Sequence, residues 1–441
     1  MTAPRRRGLR VGAAFAAGAL ALAALALWPP SPPERVILIV VDTLRSDHLS
    51  PYGARRPTPH LEALAERGQV FTNAVASFHQ TSMSMGSLFT GRTPSIESED
   101  PSAPVSWNSA SWCGMARFAG PDDDGACIPA GLPTLAERLG EAGYWTIGVA
   151  SNHFLFEPSG FGRGFSDWVE VGHPRGRAAR ADFAQLRAAR SWAAVNRAAV
   201  EALTRRPTDR FFLYVHYMDT HDYLRHLTGD GYDVEATARA YAEAVARVDA
   251  AVGRLLSYLD REGLLDDTTV VLTADHGERL AEQHPVAIGR GKPFGHLGNP
   301  SYDELLRVPL IVAPAPAGDP AALVRTQDLF ELIQEIAGAR PEAASGAPPE
   351  EVFLGELHFR TYRAGRWKSS LRRSDGSFHL FDLEGDPHET RDVADAHPDV
   401  VAAHRRRIAA LSGELATRRP VRRELSAGDR ERLRALGYLD E

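Results

Sequence analysis

Residues 35–42, RVILIVVD, constrain the fold more than any other part of the chain, because an unbroken β-branched run ends there on a carboxylate. A strand with no polar face has to be covered on both sides, as the central strands of parallel sheets are. The stretches WTIGVAS, FFLYVHYMD, TTVVLTADHG and RVPLIVAP repeat the pattern. Between them lie helical patterns: PHLEALAERG with a stop at Gly68, LPTLAERLGEAG, and ATARAYAEAVARVDAAVGRLLSYLDREG. RTQDLFELIQEIAG closes the region. Alternation of strands with amphipathic helices predicts an α/β fold with a mostly parallel central sheet.

Beyond the linker ARPEAASGAPPEE the texture changes to the short strands EVFLGELHF and TYRAGRWKSSLRRSDGSFHLFDLEGDP. Gly365, Asp375-Gly376 and Gly385-Asp386-Pro387 punctuate them, which predicts an antiparallel meander. The basic helical pattern HPDVVAAHRRRIAALSGELATR follows, and its cluster Arg405 to Arg407 reads most simply as a solvated face. No internal repeat is present.

With 441 residues, 44% of them hydrophobic and 24% charged, the chain has material for one large domain and a smaller one. The net charge of -7, with no long single-sign run in the body, argues against nucleic acid as a partner and for a small or locally recognised ligand. At the start, Arg5, Arg6, Arg7 and Arg10 precede an apolar stretch from Val11 to Trp28 and a Pro-rich break. That pattern predicts export, to the periplasm or another extracytoplasmic space. The stretch is just long enough to span a bilayer and has no clear cleavage site before the prolines, which favours an uncleaved membrane anchor slightly over a cleaved signal. Cys113 and Cys127 flank a Gly/Asp-rich loop, and in an exported chain they are expected to pair.

Ligands of open α/β sheets bind at the carboxyl ends of the strands. Asp42 ends the first strand, Asp219 and His221 follow FFLYVHYM, and Asp275 with His276 ends TTVVLTA. Oxygen ligands with one nitrogen suit calcium, magnesium, manganese or zinc. The segment FHQTSMSMGSLFTG, residues 78–91, adds a helix start whose free N–H groups and dipole favour negative charge at Thr81. Taken alone, Thr81 or Ser82 is more simply a helix cap. His216, inside a predicted strand, is expected to be a packed, hydrogen-bonded core residue rather than a ligand, and Met83, Met85 and Leu88 are expected to pack the core.

Taken together, these segments resemble the sulfatases of the alkaline-phosphatase superfamily. The resemblance runs from about Arg35 to the end, through VILIVVDTLRSDHLSPYG, TPHLEALAERGQVFTNAVAS, LFTGR, FLYVHYMDTHDY, TADHGE, FGHLGNPSYDELLRVPLIV, GRWKSSLRRSDGSFHLFDLEGDPHETRDVA and LRALGYL, in the family's order. LFTGR matches the end of the motif C/S-x-P-S-R-x-x-L-x-T-G, and counting back puts Thr81 on the nucleophile position. Sulfatases proper oxidise Cys or Ser there to formylglycine. Threonine is no substrate for that maturation, so no formylglycine is expected. The motif's Pro is Met83, its Ser is kept as Ser84, and its Arg is Met85. Threonine is used directly in other branches of the superfamily, the phosphodiesterases and lipid-headgroup transferases.

The resemblance implies a large alkaline-phosphatase-like catalytic domain over 35–345 and a C-terminal α+β subdomain over 346–441, after the signal or anchor of 1–34. It implies one divalent cation held by Asp42, Thr81, Asp275 and His276, with Thr43 where sulfatases usually have a second Asp. His221 matches the histidine that contacts the substrate anion, and His296 a group on the leaving-group side, with Lys292 a weaker candidate beside it. GYWTIGVASNHF keeps His153 but has Ser151 where the family has lysine, and Asp219 is assigned to a second cation or to orienting His221. The implied activity is metal-dependent hydrolysis of a sulfate or phosphate ester through a covalent Thr81 intermediate, on a sulfated or phosphorylated glycan or lipid. Phosphodiesterase or phosphoryl-headgroup transfer chemistry is the alternative; the lost Arg and Lys suit a monoanionic group, a sulfate monoester or a phosphodiester, over a phosphate dianion. The second alternative is a non-catalytic protein that binds an anionic glycan.

Overall fold

The computed structural model describes residues 32–94, 127–172, 191–226, 233–284, 295–296, 300–339, 349–356 and 358–415. The run RVILIVVD forms β1 (Arg35–Val41), and its residues from Val36 to Val41 are all fully buried. It lies inside a seven-stranded sheet of order β2-β8-β7-β1-β6-β4-β5, with β2 (Gln69–Val70), β4 (Trp145–Ala150), β5 (Asp167–Glu170), β6 (Phe211–Tyr217), β7 (Thr268–Ala274) and β8 (Leu310–Ala313). β1 pairs in parallel with β6 and β7 on its two sides, and β4 with β5 and β6. The sequence RVPLIVAP supplies β8, which runs antiparallel to β7 and so departs from the parallel majority.

Register decides where chemistry can gather. Val41 stands level with Tyr217 on β6 and with Ala274 on β7, so Asp42 and Asp275 emerge side by side at one sheet edge. The run of three β-strands, each apolar to its end, converts sequence position directly into spatial proximity.

The helices of this region are α1 (Pro59–Glu66), α2 (Thr81–Thr90), α3 (Leu135–Glu141), α4 (Trp192–Arg205), α5 (Val234–Arg261) and α6 (Leu329–Ile336). α3 begins with a capping box in which Thr134 and Glu137 satisfy each other's backbone N–H. α5 starts on Asp233, whose side chain accepts from Glu235 and Ala236, and its buried Asp249 accepts from the backbone N–H of His60 and Leu61. That carboxylate caps α1 from another element and fixes the two helices together. All ten residues of α2 are buried, and Met83, Met85 and Leu88 belong to the main core, as their spacing predicts. Gly91 ends α2 in the left-handed region, φ +68°, with its N–H on Ser87 O. The strands β3 (Ala74–Val75) and β9 (Val324–Arg325) form a separate parallel pair.

The C-terminal meander is a four-stranded antiparallel sheet of β10 (Glu351–Gly355), β11 (Phe359–Ala364), β12 (Trp367–Arg372) and β13 (Phe378–Asp382). EVFLGELHF, expected as one strand, is split by a turn closed by Glu356 N–H on Phe359 O. Helix α7 (Pro398–Leu415) packs Ile408 against Phe353 and Tyr362. The Arg405–Arg407 face is more than solvated: Arg407 Nε lies 3.0 Å from Glu351 Oε2 and pins α7 to β10. Buried Lys368 on β12 ties the small sheet to the segment before β8: its Nζ lies 2.6 Å from Asp303 Oδ1 and 2.9 Å from Glu389 Oε1.

Cys127 is disulfide-bonded, and Cys113, its expected partner, lies outside the described residues. So does the apolar N-terminal stretch; among the described residues no helix is long and apolar enough to cross a membrane.

Candidate active site

Asp42 projects from the end of β1 into a fully buried position. Its Oδ2 accepts from Asn152 Nδ2 at 2.7 Å and lies 3.1 Å from His216 Nε2 and 3.4 Å from Thr81 Oγ1. Its backbone carbonyl accepts from Thr220 Oγ1, which ties the residue to the loop after β6. The next residue, Thr43, is held in the left-handed region, φ +57°, an unfavourable conformation for a β-branched side chain. Two bonds maintain it: Thr43 N–H donates to Asp275 Oδ1 at 3.1 Å, and Tyr241 Oη donates to Thr43 O at 2.6 Å.

Asp275 and His276 follow β7 and are also fully buried. Asp275 Oδ1 accepts from the backbone N–H of His276 at 2.8 Å. His276 Nδ1 lies 2.8 Å from Gly277 O, a carbonyl that can only accept, so the proton sits on Nδ1 and Nε2 presents a lone pair. The glycine of Asp-His-Gly-Glu is required by a close approach, since a Cβ at Gly277 would stand 2.1 Å from Glu304 O.

Thr81 is the first residue of α2, and Gln80, in extended conformation, occupies the cap position without a side-chain bond to the helix. The Thr81 hydroxyl is therefore spent elsewhere. Its Oγ1 lies 3.4 Å from Asp42 Oδ2, 3.4 Å from His276 Nε2 and 3.3 Å from Asn152 Nδ2. Ser84, one turn on, donates to Asp275 O at 2.5 Å and locks α2 against the end of β7. Ser151, at the end of β4, donates to His216 O at 2.6 Å.

Burial alone would raise Asp42, but the His216 bond and the nearby His221 outweigh it and hold the carboxyl far below its ordinary range. Asp275 moves the other way, raised by burial and by the charge of Asp42 beside it. His276 is pushed well down by burial and by His296, so its ring is neutral. Two carboxylates with opposed shifts and a neutral imidazole form a site short of positive charge.

The polar inventory fits a divalent cation. Asp42 Oδ1, Asp275 Oδ2 and Thr43 Oγ1 are buried oxygens without a hydrogen-bond partner. Each such orphan costs about 1–3 kcal/mol unless something satisfies it. Asp42, His216 and Asp275 each offer one atom, and the three lie within 4.8 Å of one another.

His216 is packed and hydrogen-bonded, as expected, and it also stands at the cluster. It is buried and hydrogen-bonded, Nδ1 to Tyr214 Oη at 2.8 Å, yet its Nε2 faces the cluster. Burial raises the Tyr214 phenol well above its ordinary value, so Tyr214 donates, His216 Nδ1 accepts, and Nε2–H points at Asp42. The available signal was its level in β6, paired with Val40 two residues before Asp42. Asn152 was missed as well; it is this residue, immediately before His153, whose amide reaches both Asp42 and Thr81.

Of the remaining expected residues, His296 and His221 gather over the cluster. The His296 ring centroid lies 4.5 Å from that of His276 and 5.6 Å from that of His221. His296 Nδ1 is 3.5 Å from Glu278 Oε1, and His221 Nδ1 is 3.5 Å from Asp222 Oδ1. Asp219 sits half-buried at the same end of β6, His153 half-buried after β4, and Lys292 lies outside the described residues.

A family model described as Sulfatase matches residues 34–339, which spans β1, α2, β6, β7 and every cluster residue named above. The chain belongs to the sulfatase family. This sulfatase-family protein is 23% identical to an N-acetylgalactosamine-6-O-sulfatase of Bacteroides thetaiotaomicron, over 83% of this chain and 90% of that protein. It is 26% identical to the multifunctional alkaline phosphatase superfamily protein PehA of Trinickia caryophylli, over 38% of each chain. The crystal structure of a phosphonate monoester hydrolase of Agrobacterium radiobacter shares its fold, with a TM-score of 0.59 at 18% identity, covering 89% of this chain and 100% of that one. The sulfatase-family chain is thus an enzyme that hydrolyses ester bonds.

Proposed function

We propose that the enzyme cleaves a sulfate or phosphate ester by transferring the acid group to Thr81 Oγ1 and then to water. The observation that carries this reading is the Thr81 hydroxyl itself: it leaves the helix cap to Gln80 and sits between Asp42 Oδ2 and His276 Nε2 at 3.4 Å from each. A purely anion-binding protein has no use for a hydroxyl in that position.

Asp42, Asp275, His276 and Thr81, supported by His216, would hold one divalent cation, and calcium, magnesium, manganese and zinc all suit the donors. Such an ion supplies positive charge that stabilises an alkoxide and the oxygens of the transferred group. The chain's own residues do the rest. Thr81 Oγ1 loses its proton as it bonds to sulfur or phosphorus, and Asp42 Oδ2, 3.4 Å away, is the base in reach, because the His276 Nε2 lone pair would be held by the cation. The α2 N-terminus favours the developing negative charge. His221 contacts the equatorial oxygens, and His296 or His153 gives a proton to the leaving oxygen as its bond to sulfur or phosphorus breaks. Water then attacks the Thr81 ester and restores the hydroxyl.

A threonine ester cannot collapse to an aldehyde, so release requires a second attack at sulfur or phosphorus. That requirement makes phosphate esters at least as suitable as sulfate esters, and the absence among the described residues of any Arg or Lys bonded to Asp42, Thr81, Asp275 or His276 favours a monoanionic group: a sulfate monoester or a phosphodiester. The second reading, phosphodiester cleavage or headgroup transfer, is supported by the same observation. Sulfated or phosphorylated glycans and lipids are the substrate classes, and residues 1–34 direct the enzyme to an extracytoplasmic space. Kinetics of Thr81→Ala and Thr81→Ser on an aryl sulfate, an aryl phosphate and an aryl phosphodiester test the reading. Thr81→Ala is expected to lower kcat at least about 1000-fold on whichever ester is turned over. Undiminished turnover by Thr81→Ala on all three would refute it.

A further inference from the structure

The small C-terminal sheet reaches toward the nucleophile segment through a buried hydrogen-bonded bridge that the mechanism above does not use. Glu356 lies at the turn between β10 and β11 and is 4% exposed. Its Oε1 accepts from Ser301 Oγ at 2.5 Å and from Thr361 Oγ1 at 3.0 Å. Ser301 Oγ in turn lies 2.8 Å from Nδ1 of His79, which is 3% exposed and two residues before Thr81. Arg360 Nη1 donates to Glu356 O and closes the turn.

Proton counting orders the bridge. A serine hydroxyl has one proton, and at 2.5 Å from a carboxyl oxygen it is directed there. Ser301 Oγ can then only accept from His79, so the imidazole proton sits on Nδ1 and Nε2 carries the lone pair. The ring itself is clamped by stacking on Phe78, with centroids 5.0 Å apart. Every polar atom of the bridge is buried, so no water competes for these bonds.

We propose that Glu356 is a positioning residue of the esterolytic site, acting through Ser301 on His79 to fix the tautomer and placement of that ring and, with it, the backbone that presents Thr81. The proposal rests on the Thr81-centred reading for its kinetic consequence but not for its geometry. It gives the small sheet a part in the reaction beyond packing. The large domain alone would lack an acceptor for Ser301, and His79 would be free to exchange tautomers.

The test uses the full-length enzyme and the three aryl esters. Glu356→Leu removes the acceptor, whereas Glu356→Gln keeps an Oε1 that accepts from Ser301. Glu356→Leu is expected to lower kcat about 10-fold or more with KM little changed, and Glu356→Gln to restore most of it. In a His79→Gln background the Glu356→Leu change is expected to have less than about a 2-fold further effect, because its route is already cut. Lys368→Met, which disturbs the other buried contact between the sheets, is expected to lower Tm without changing kcat. Histidine-selective 15N spectra add a readout that needs no turnover, expected to place the His79 proton on Nδ1 in the wild type and in Glu356→Gln and to lose that preference in Glu356→Leu and in Ser301→Ala. A His79 proton on Nε2 in the wild type, or an equal kcat loss from Glu356→Leu with and without His79, overturns the proposal. Failure of all three esters leaves the 15N result to decide it, separately from the Thr81 reading.

Discussion

Thr81 Oγ1 and His276 Nε2 stand 3.4 Å apart although 195 residues separate them, and each is oriented by its own backbone: Thr81 by the start of α2, His276 by the bond from Nδ1 to Gly277 O. Neither side chain makes sense as structure alone. A threonine at a helix start usually caps it, and a buried neutral histidine usually spends both nitrogens on partners of its own domain. Here the free ends of both meet at the two carboxylates.

Removal of the cation is the first expected consequence. Asp42 Oδ1 and Asp275 Oδ2 are orphaned, buried and mutually repelling, so a chelator should lower both activity and Tm. Saturation at about 100 times Kd would restore about 2.7 kcal/mol. Asp275→Asn removes the repulsion, so that variant should be more stable than the chelated wild type and indifferent to added calcium, magnesium, manganese or zinc. Thermal melts with and without each ion check both statements.

Tyr214 should matter to the site without touching it. Its hydroxyl fixes the His216 tautomer that donates to Asp42, 3.1 Å away. Tyr214→Phe is expected to weaken cation affinity about 10–100-fold, the usual scale for loss of an outer partner of a metal site. Isothermal titration with the cation measures it directly; an unchanged Kd would mean that Asp42 holds the cation without help from the His216 bond.

His296 lies over His276 with ring centroids 4.5 Å apart, on the side assigned to the leaving group. If it donates the proton, His296→Ala should slow esters of poor leaving groups by about 100-fold or more and nitrophenyl esters much less. A leaving-group series with the wild type and the variant reads the difference as a change in slope.

The junction of the two sheets predicts a pH dependence of stability. Burial lifts Glu389 to about 7, partly opposed by Lys368. A carboxyl whose folded value exceeds its unfolded one contributes stability that is complete below about 4.5 and is lost as pH rises through about 7. Glu356, lifted to about 7 by burial, adds to the same window. Tm should therefore fall between pH 5 and 8, and Glu389→Gln should flatten part of that fall. Lys368→Met, which leaves Asp303 and Glu389 buried without their partner, should cost about 3–5 kcal/mol.

Much of this was legible in the sequence because register in a parallel sheet is carried by uninterrupted apolar strands. RVILIVVD, FFLYVHYMD and TTVVLTADHG, taken as parallel strands, put Asp42, Asp275 and His276 at one edge, and LFTG points back to Thr81. What escaped had no local signature. His216 sits in an apolar run that reads as core, and only its level against Val40 reveals the edge. Asn152 hides beside a more conspicuous histidine. Ser301 and Glu356, 55 residues apart, meet only after the small sheet has docked, and the same is true of Lys368 and Asp303, 65 apart. The split of EVFLGELHF follows from that docking, since Glu356 turns inward where an isolated strand would continue.

The central claim is the covalent Thr81 ester, and the most direct measurement is the mass of the Thr81 peptide from enzyme quenched in acid during turnover of an aryl ester. The account predicts a sulfate- or phosphate-sized increment confined to Thr81, absent in Thr81→Ala and larger when the leaving group is good enough to make release rate-limiting. An increment on another side chain, or steady turnover with no increment under conditions that trap the intermediate, would contradict it.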